Sequence, residues 1–118
     1  MATAGERRTV LVVDDEPAIR LICRVNLELD GHRVLEASGN DEARALLAAE
    51  AVDVVFLDLH LSGERGDGLL DELRGRVPVA LVTGSTEATA ADRPDADAIL
   101  AKPFEPAELS ETVRRLTP

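Results

Sequence analysis

The chain is short of basic residues. Lysine and arginine number 13 against 23 aspartates and glutamates, giving a net charge of −10. That balance argues against non-specific binding to nucleic acid or to anionic lipid, both of which want a basic face. There is a single cysteine, Cys23, so no internal disulfide can form, which fits a reducing compartment. No apolar run nears the roughly 20 residues a membrane helix needs. The opening "MATAGERRT" lacks the apolar middle of a signal peptide. Tryptophan and tyrosine are absent, and phenylalanine occurs twice, as Phe56 and Phe104. No conformational switch here can run on a tyrosine or tryptophan ring. The expectation is a soluble, cytoplasmic protein with no direct nucleic-acid partner and no membrane partner.

What is present suits one domain, residues 1–118 with a core over about 8–117. The chain has 118 residues, of which 45% are hydrophobic, enough for an ordinary core. Apolar runs and turn signals alternate with short period. "RTVLVVD" (8–14) is a continuous β-branched run, the mark of a strand buried on both faces. Residues 16–31 read as a helix, with Pro17 in its first turn and Gly31 as its stop. "HRVLEA" (32–37) is a short strand, and 38–50 a helix with small polar residues for a cap and acids in its first turn. "VDVVFLD" (52–58) is a second buried strand, 67–75 a short helix, and "VPVALVT" (77–83) a third apolar strand. Residues 85–97 start helix-like but meet Pro94; "AILA" (98–101) is a strand, and 105–116 a final helix with Leu109, Val113 and Leu116 on one face. Five β-α units predict a parallel sheet with helices on both faces. Right-handed crossovers bring every strand's carboxyl end to one edge, where ligands bind in such sheets.

Several chemistry-bearing residues fall on that edge. The first strand ends in Asp14 and Asp15, the "VVFLDLHLSG" strand (54–63) in Asp58, the next in Thr83, and Lys102 follows "AILA". A lone aspartate at a strand end is usually a cap or turn residue, and Asp14-Asp15 alone could cap the helix that follows. The conjunction carries the signal. Three carboxylates brought together repel one another, and a hard divalent cation resolves that repulsion. Mg²⁺ takes oxygen ligands, often one or two carboxylates together with waters and a phosphate. The cluster therefore reads as a site for Mg²⁺ (or Mn²⁺) and a phosphoryl group, with Lys102 and Thr83 placed to reach phosphoryl oxygens.

"VLVVDDEPAIR", "VVFLDLHLSG", "VALVTGS" and "AKPF", in this order and spacing, resemble the receiver domain of two-component response regulators, over about Thr9 to Leu116. The resemblance implies an α/β, flavodoxin-like three-layer α/β/α fold with a five-stranded parallel sheet in the order 2-1-3-4-5. It implies that Asp58 accepts a phosphoryl group from a phosphohistidine on a sensor histidine kinase or histidine phosphotransfer protein. Asp15 and Asp58 would ligate Mg²⁺ directly with the backbone carbonyl of His60, and Asp14 mainly through a metal-bound water. Thr83 and Lys102 would bind the phosphoryl oxygens, and the Lys102–Pro103 peptide would be cis. The protein would catalyse only its own phosphorylation and dephosphorylation, and would pass the signal to an unknown downstream protein.

The chain departs from that family at three places. Ile99 stands where the family commonly has the aromatic residue of its switch. Only 18 residues separate Thr83 from Lys102, so the fourth helix should be short or irregular. Ser62 replaces a usual proline in a glycine-rich "SGERGDG" loop, which should be mobile; His60 and Ser85 lie where members of the family tune phosphoryl lifetime. The first helix carries two apolar stripes: Ile19, Ile22, Cys23 and Leu27, and Ala18, Leu21, Val25 and Leu29. One stripe suffices to pack on a sheet. The other is either part of a wide buried face or an exposed patch where a helical phosphodonor docks, with Ala18, Leu21, Ile22 and Val25 the residues concerned. Two other functions stay open: a degenerate receiver acting as an interaction module without phosphorylation, and an Asp-nucleophile phosphatase, for which His60 stands where a second aspartate would be wanted. A flavodoxin-like cofactor binder would want a phosphate loop where this chain has two acids.

Overall fold

A computed structural model of the protein describes residues 7–58, 60–61, 64–65, 67–84 and 96–118. The elements run β1 (Thr9–Val13), α1 (Pro17–Leu29), β2 (Arg33–Ala37), α2 (Asn40–Ala49), β3 (Val54–Leu57), β4 (His60–Leu61), β5 (Glu64–Arg65), α3 (Asp67–Leu73), β6 (Val79–Thr83), β7 (Ala98–Ala101) and α4 (Pro106–Leu116). Five strands form one sheet in the order β2-β1-β3-β6-β7, and every pairing in it is parallel. Counted along the chain, that is the expected 2-1-3-4-5 order, the flavodoxin-like doubly wound arrangement.

The β-branched and leucine-rich runs form strands because the sheet is covered on both faces. Successive residues of β1 point to opposite sides. Leu11 and Val13 join Val55, Leu57 and Leu81 in a cluster with α2 and α3. Val10 and Val12 join Val54, Phe56 and Val82 in a second cluster with α1 and α4. All four residues of β3 are fully buried, so this central strand fixes the point at which Asp58 leaves the sheet.

Helix α1 ends as its sequence directs. Gly31 takes φ of 91°, and its N–H donates to the Glu28 carbonyl while that of His32 donates to Leu27. These two bonds define a Schellman stop, in which glycine avoids the steric cost of the left-handed backbone. Gly75, at φ of 78°, turns the chain just past α3 in the same region of backbone space.

The structure differs from the sequence expectations in three details. Gly39, not a polar side chain, is the N-cap residue of α2, and no side-chain cap bond forms there; Glu42 reaches back to accept the Ser38 backbone N–H at 2.6 Å instead. The segment after Asp58 contains a small antiparallel hairpin, pairing His60 with Arg65 and Leu61 with Glu64. Ile22 does not share the buried stripe of α1: it is 43% exposed, whereas Cys23 and Leu27 are buried and Ile19 packs against the core. Ser62, Ser85 and the proposed short fourth helix fall in residues 62–63 and 85–95, outside the described residues.

Candidate functional site

β1 and β3 are neighbours, in register from Val10 opposite Val54 to Val13 opposite Leu57. The next residue of each strand is therefore brought to the same edge: Asp14 on one, Asp58 on the other. The backbone holds both. The Asp14 N–H donates to Ala37 and the Asp58 N–H to Val13, each at 3.0 Å. Both side chains are buried, Asp14 at 2% and Asp58 at 7% exposure. Lys102 arrives from the far side of the sheet. β6 and β7 pair up to Thr83 opposite Ala101, and the Lys102 N–H then donates to the Thr83 carbonyl at 2.7 Å. The Lys102–Pro103 peptide is cis.

The lysine side chain meets three acids. Its Nζ lies 3.0 Å from Asp14 Oδ2, 3.2 Å from Asp58 Oδ2 and 3.2 Å from Glu16 Oε1. The contacts to Asp58 and Glu16 are also hydrogen bonds, whereas Asp14 Oδ2 receives no directed hydrogen bond. Burial favours the neutral amine, but the carboxylates of Asp14 and Asp58 outweigh it and hold the ammonium charged above the ordinary lysine range. Asp14 is shifted the other way for its type. Burial raises its carboxyl, the Glu16 backbone N–H and Lys102 pull it down less strongly, and Asp58 pushes it up again. Among the described residues, the four acids of the site carry more negative charge than Lys102 compensates.

Asp15, half-buried, and Glu16 complete the group: one carboxylate oxygen from each of Asp14, Asp15, Glu16 and Asp58 can be chosen so that all four lie within 4.8 Å of one another. The donors are hard oxygens throughout, with no sulfur or imidazole, which is the ligand set of Mg²⁺ or Mn²⁺. A buried carboxylate oxygen of Asp14 without a directed hydrogen bond is the kind of atom such an ion satisfies. The residues present therefore fit a divalent cation. The structure brings together Asp14, Asp15, Asp58 and Lys102. Thr83, buried at 3%, stands beside them at the end of the next strand. His60 opens the β4–β5 hairpin two residues past Asp58.

Glu16 is the residue that sequence reasoning passed over. The signal was there: it is a third consecutive acid, and it sits at the N-cap of α1, which faces its first turn toward the same edge. Its side chain remains 59% exposed while reaching Lys102.

An open parallel sheet whose carboxyl edge carries buried aspartates on adjacent strands, clasped by a lysine two strands away, defines a flavodoxin-like domain with an acid pocket at that edge. The family model of the response regulator receiver domain matches residues 10–114, and the chain belongs to that family. Among curated proteins it is 39% identical over 116 residues to the alginate biosynthesis transcriptional regulatory protein AlgB of Pseudomonas aeruginosa, spanning 92% of this chain and 26% of AlgB. It is 34% identical over 110 residues to the phosphate regulon transcriptional regulatory protein PhoB of the same organism, spanning 86% and 48%. The chain thus covers half or less of the length of these relatives. Among solved structures, the response regulator TrrA of Thermotoga maritima, in complex with Mg(2+)-BeF, superposes with a TM-score of 0.82 at 29% identity, over 92% of this chain and 98% of that one. Among the described residues no helix is long and apolar enough to cross a membrane.

Proposed function

We propose that Asp58 is the phosphoacceptor of a two-component or phosphorelay system, and that its phosphorylation switches binding to a downstream protein. The observation that carries this reading is a buried Asp58 carboxylate with the Lys102 ammonium 3.2 Å from its Oδ2 and two further aspartates alongside. A strand-end cap needs none of that company.

The reaction follows from the groups present. A carboxylate oxygen of Asp58 attacks the phosphorus of a phosphohistidine on the donor. The P–N bond breaks, its electron pair stays on the imidazole nitrogen, and an acyl phosphate remains on Asp58. Phosphoryl transfer of this kind needs positioning and charge neutralisation more than covalent help. Lys102 neutralises one phosphoryl oxygen, and the Thr83 hydroxyl donates to another. Asp14, Asp15 and Asp58, with the backbone carbonyl of His60, would hold Mg²⁺ or Mn²⁺, which when bound offsets the charge of phosphate and carboxylates together. Attack of water on the phosphorus restores Asp58 and releases phosphate, so the protein acts only on itself.

Helix α1 opens on the acid turn and exposes Ala18, Leu21, Ile22 and Val25. This face docks the helical phosphodonor, a histidine kinase or phosphotransfer protein, beside the pocket.

Incubation with phosphoramidate and Mg²⁺, followed by intact mass, tests the chemistry. The expected result is a gain of one phosphoryl group, lost in Asp58→Asn and lost without divalent cation. No gain in the native chain would favour an interaction module that works without phosphorylation. Steady turnover of phosphate monoesters would favour a phosphatase.

A further inference from the structure

Arg20 takes no part in the chemistry above, yet its side chain is tied to the turn that carries the acids. Its Nη1 donates to the backbone carbonyl of Asp14 at 2.6 Å. Asp14 lies one residue past the last ladder pair of β1 and is itself buried. A buried carbonyl needs a partner, and Arg20 supplies it. The guanidinium is held in turn: its Nε sits 3.4 Å from Glu36 Oε1, and Arg24, one helical turn on, grips Glu36 Oε2 at 2.6 Å. Glu36 belongs to β2, opposite Val12 of β1, so it is fixed by the sheet. Arg20 is only 18% exposed in its side chain. Its placement also runs against simple helix electrostatics, since a cation near a helix N-terminus opposes the macrodipole. The compensation is the turn it holds.

We infer that Arg20 is a positioning residue of the acid pocket: braced by Glu36, it pins the Asp14 carbonyl so that the turn presents Asp14 and Asp15 toward Asp58. This rests on the reading of the pocket as a divalent-cation site. Groups behind metal ligands that orient them typically change metal affinity by about 10–100-fold when removed.

Two measurements test it, one with metal and one without. In the metal-free protein, the Glu16 amide donates to Asp14 Oδ1 at 2.9 Å and reports the order of the turn. In Arg20→Ala its hydrogen exchange should speed up about tenfold, while Leu11 and Val12 in β1 stay as slow as in the native chain. Mn²⁺ affinity, read by electron paramagnetic resonance of the free ion, should fall roughly tenfold or more. Arg20→Lys, which keeps a donor for the carbonyl, should recover most of both effects. Arg24→Ala, which breaks only the outer ion pair, should leave Mn²⁺ affinity within about twofold of native. Unchanged Glu16 exchange in Arg20→Ala would overturn the inference, as would an equal loss of affinity in Arg24→Ala, which would make the effect one of general charge. A native chain that binds no Mn²⁺ would remove the cation-site reading instead, and the exchange result would still decide whether Arg20 holds the turn.

Discussion

Helices α1 and α4 lie side by side on the same face of the sheet, and they solve the same packing problem with different outer surfaces. Each begins with proline after a glutamate, and each buries two apolar side chains in one shared cluster, Cys23 and Leu27 from α1 and Leu109 and Val113 from α4. α4 is finished as a surface helix. Glu108 accepts the Glu105 backbone N–H at 3.3 Å, Arg114 and Arg115 complement the dipole in its last turn, and its solvent side is charged. α1 has no acid in its first turn, no base in its last and no side-chain cap. Its outer surface shows Leu21, Ile22, Val25 and Leu29 at 43–81% exposure. The core explains one apolar stripe on each helix. The second stripe of α1 stays exposed among the described residues, and it is the face proposed above for the phosphodonor.

The sharpest contrast within α1 would be between the buried Cys23 thiol and a thiol introduced on its outer face. Cys23 is fully buried, and its thiol is pushed up to about 12, first by burial and then by Asp14. At pH 8 only about one molecule in 10⁴ carries the reactive thiolate there. A solvent-facing thiol with an ordinary pKa near 8.5 is roughly a quarter ionised. Labelling of the native chain with a thiol reagent should therefore be at least about 10³-fold slower than labelling of Val25→Cys made in a Cys23→Ala background. The pH profiles should differ too. The outward thiol levels off above about pH 9, whereas Cys23 keeps gaining about tenfold per pH unit through pH 10 while the chain stays folded. Equal rates would mean that α1 opens readily and that its faces are not distinct.

Stability should separate the same faces by a smaller factor. Leu27→Ala and Leu109→Ala each leave a cavity in the shared cluster and should cost about 2–5 kcal/mol in urea unfolding. Leu21→Ala should stay within about 0.5 kcal/mol of native. A cost at Leu21 close to that at Leu27 would show the patch to be packed, and would remove the reason to seek a partner for it.

How much of this was readable beforehand depends on what fixes each feature. The strands were legible because burial on both faces demands unbroken apolar runs, and β3 offers four such residues before Asp58. The pocket's aspartates and lysine were legible because parallel strands carry their ends to one edge, whatever the details between. The β4–β5 hairpin was not, since two residue pairs leave no alternation to detect. Glu16 and Arg20 were missed for a related reason. Their roles depend on side chains folding back over a helix start, Glu16 to Lys102 and Arg20 to the Asp14 carbonyl, and charged residues there usually face water. Ile22 was placed on the wrong stripe because it adjoins Cys23 in sequence; a helix turns about 100° per residue, enough to carry it out of the core.

The smallest expected effect bears most directly on why α1 and α4 differ. Leu21→Glu or Val25→Glu should slow phosphotransfer from a protein phosphohistidine donor by roughly tenfold, the loss of a modest interface contact, and leave phosphorylation by phosphoramidate unchanged. Glu111→Arg on α4 should alter neither rate beyond about twofold. Equal losses with both donors would place the defect in the pocket and sink the docking role. Position along α1 sharpens the test. Leu29 lies eight residues past Leu21, about 12 Å further from the acid turn at 1.5 Å per residue. A donor must bring its histidine to Asp58, so its contacts should weigh most near the start of α1, and Leu29→Glu should cost less than Leu21→Glu. A reversed order would mean that the partner on this face is not the phosphodonor.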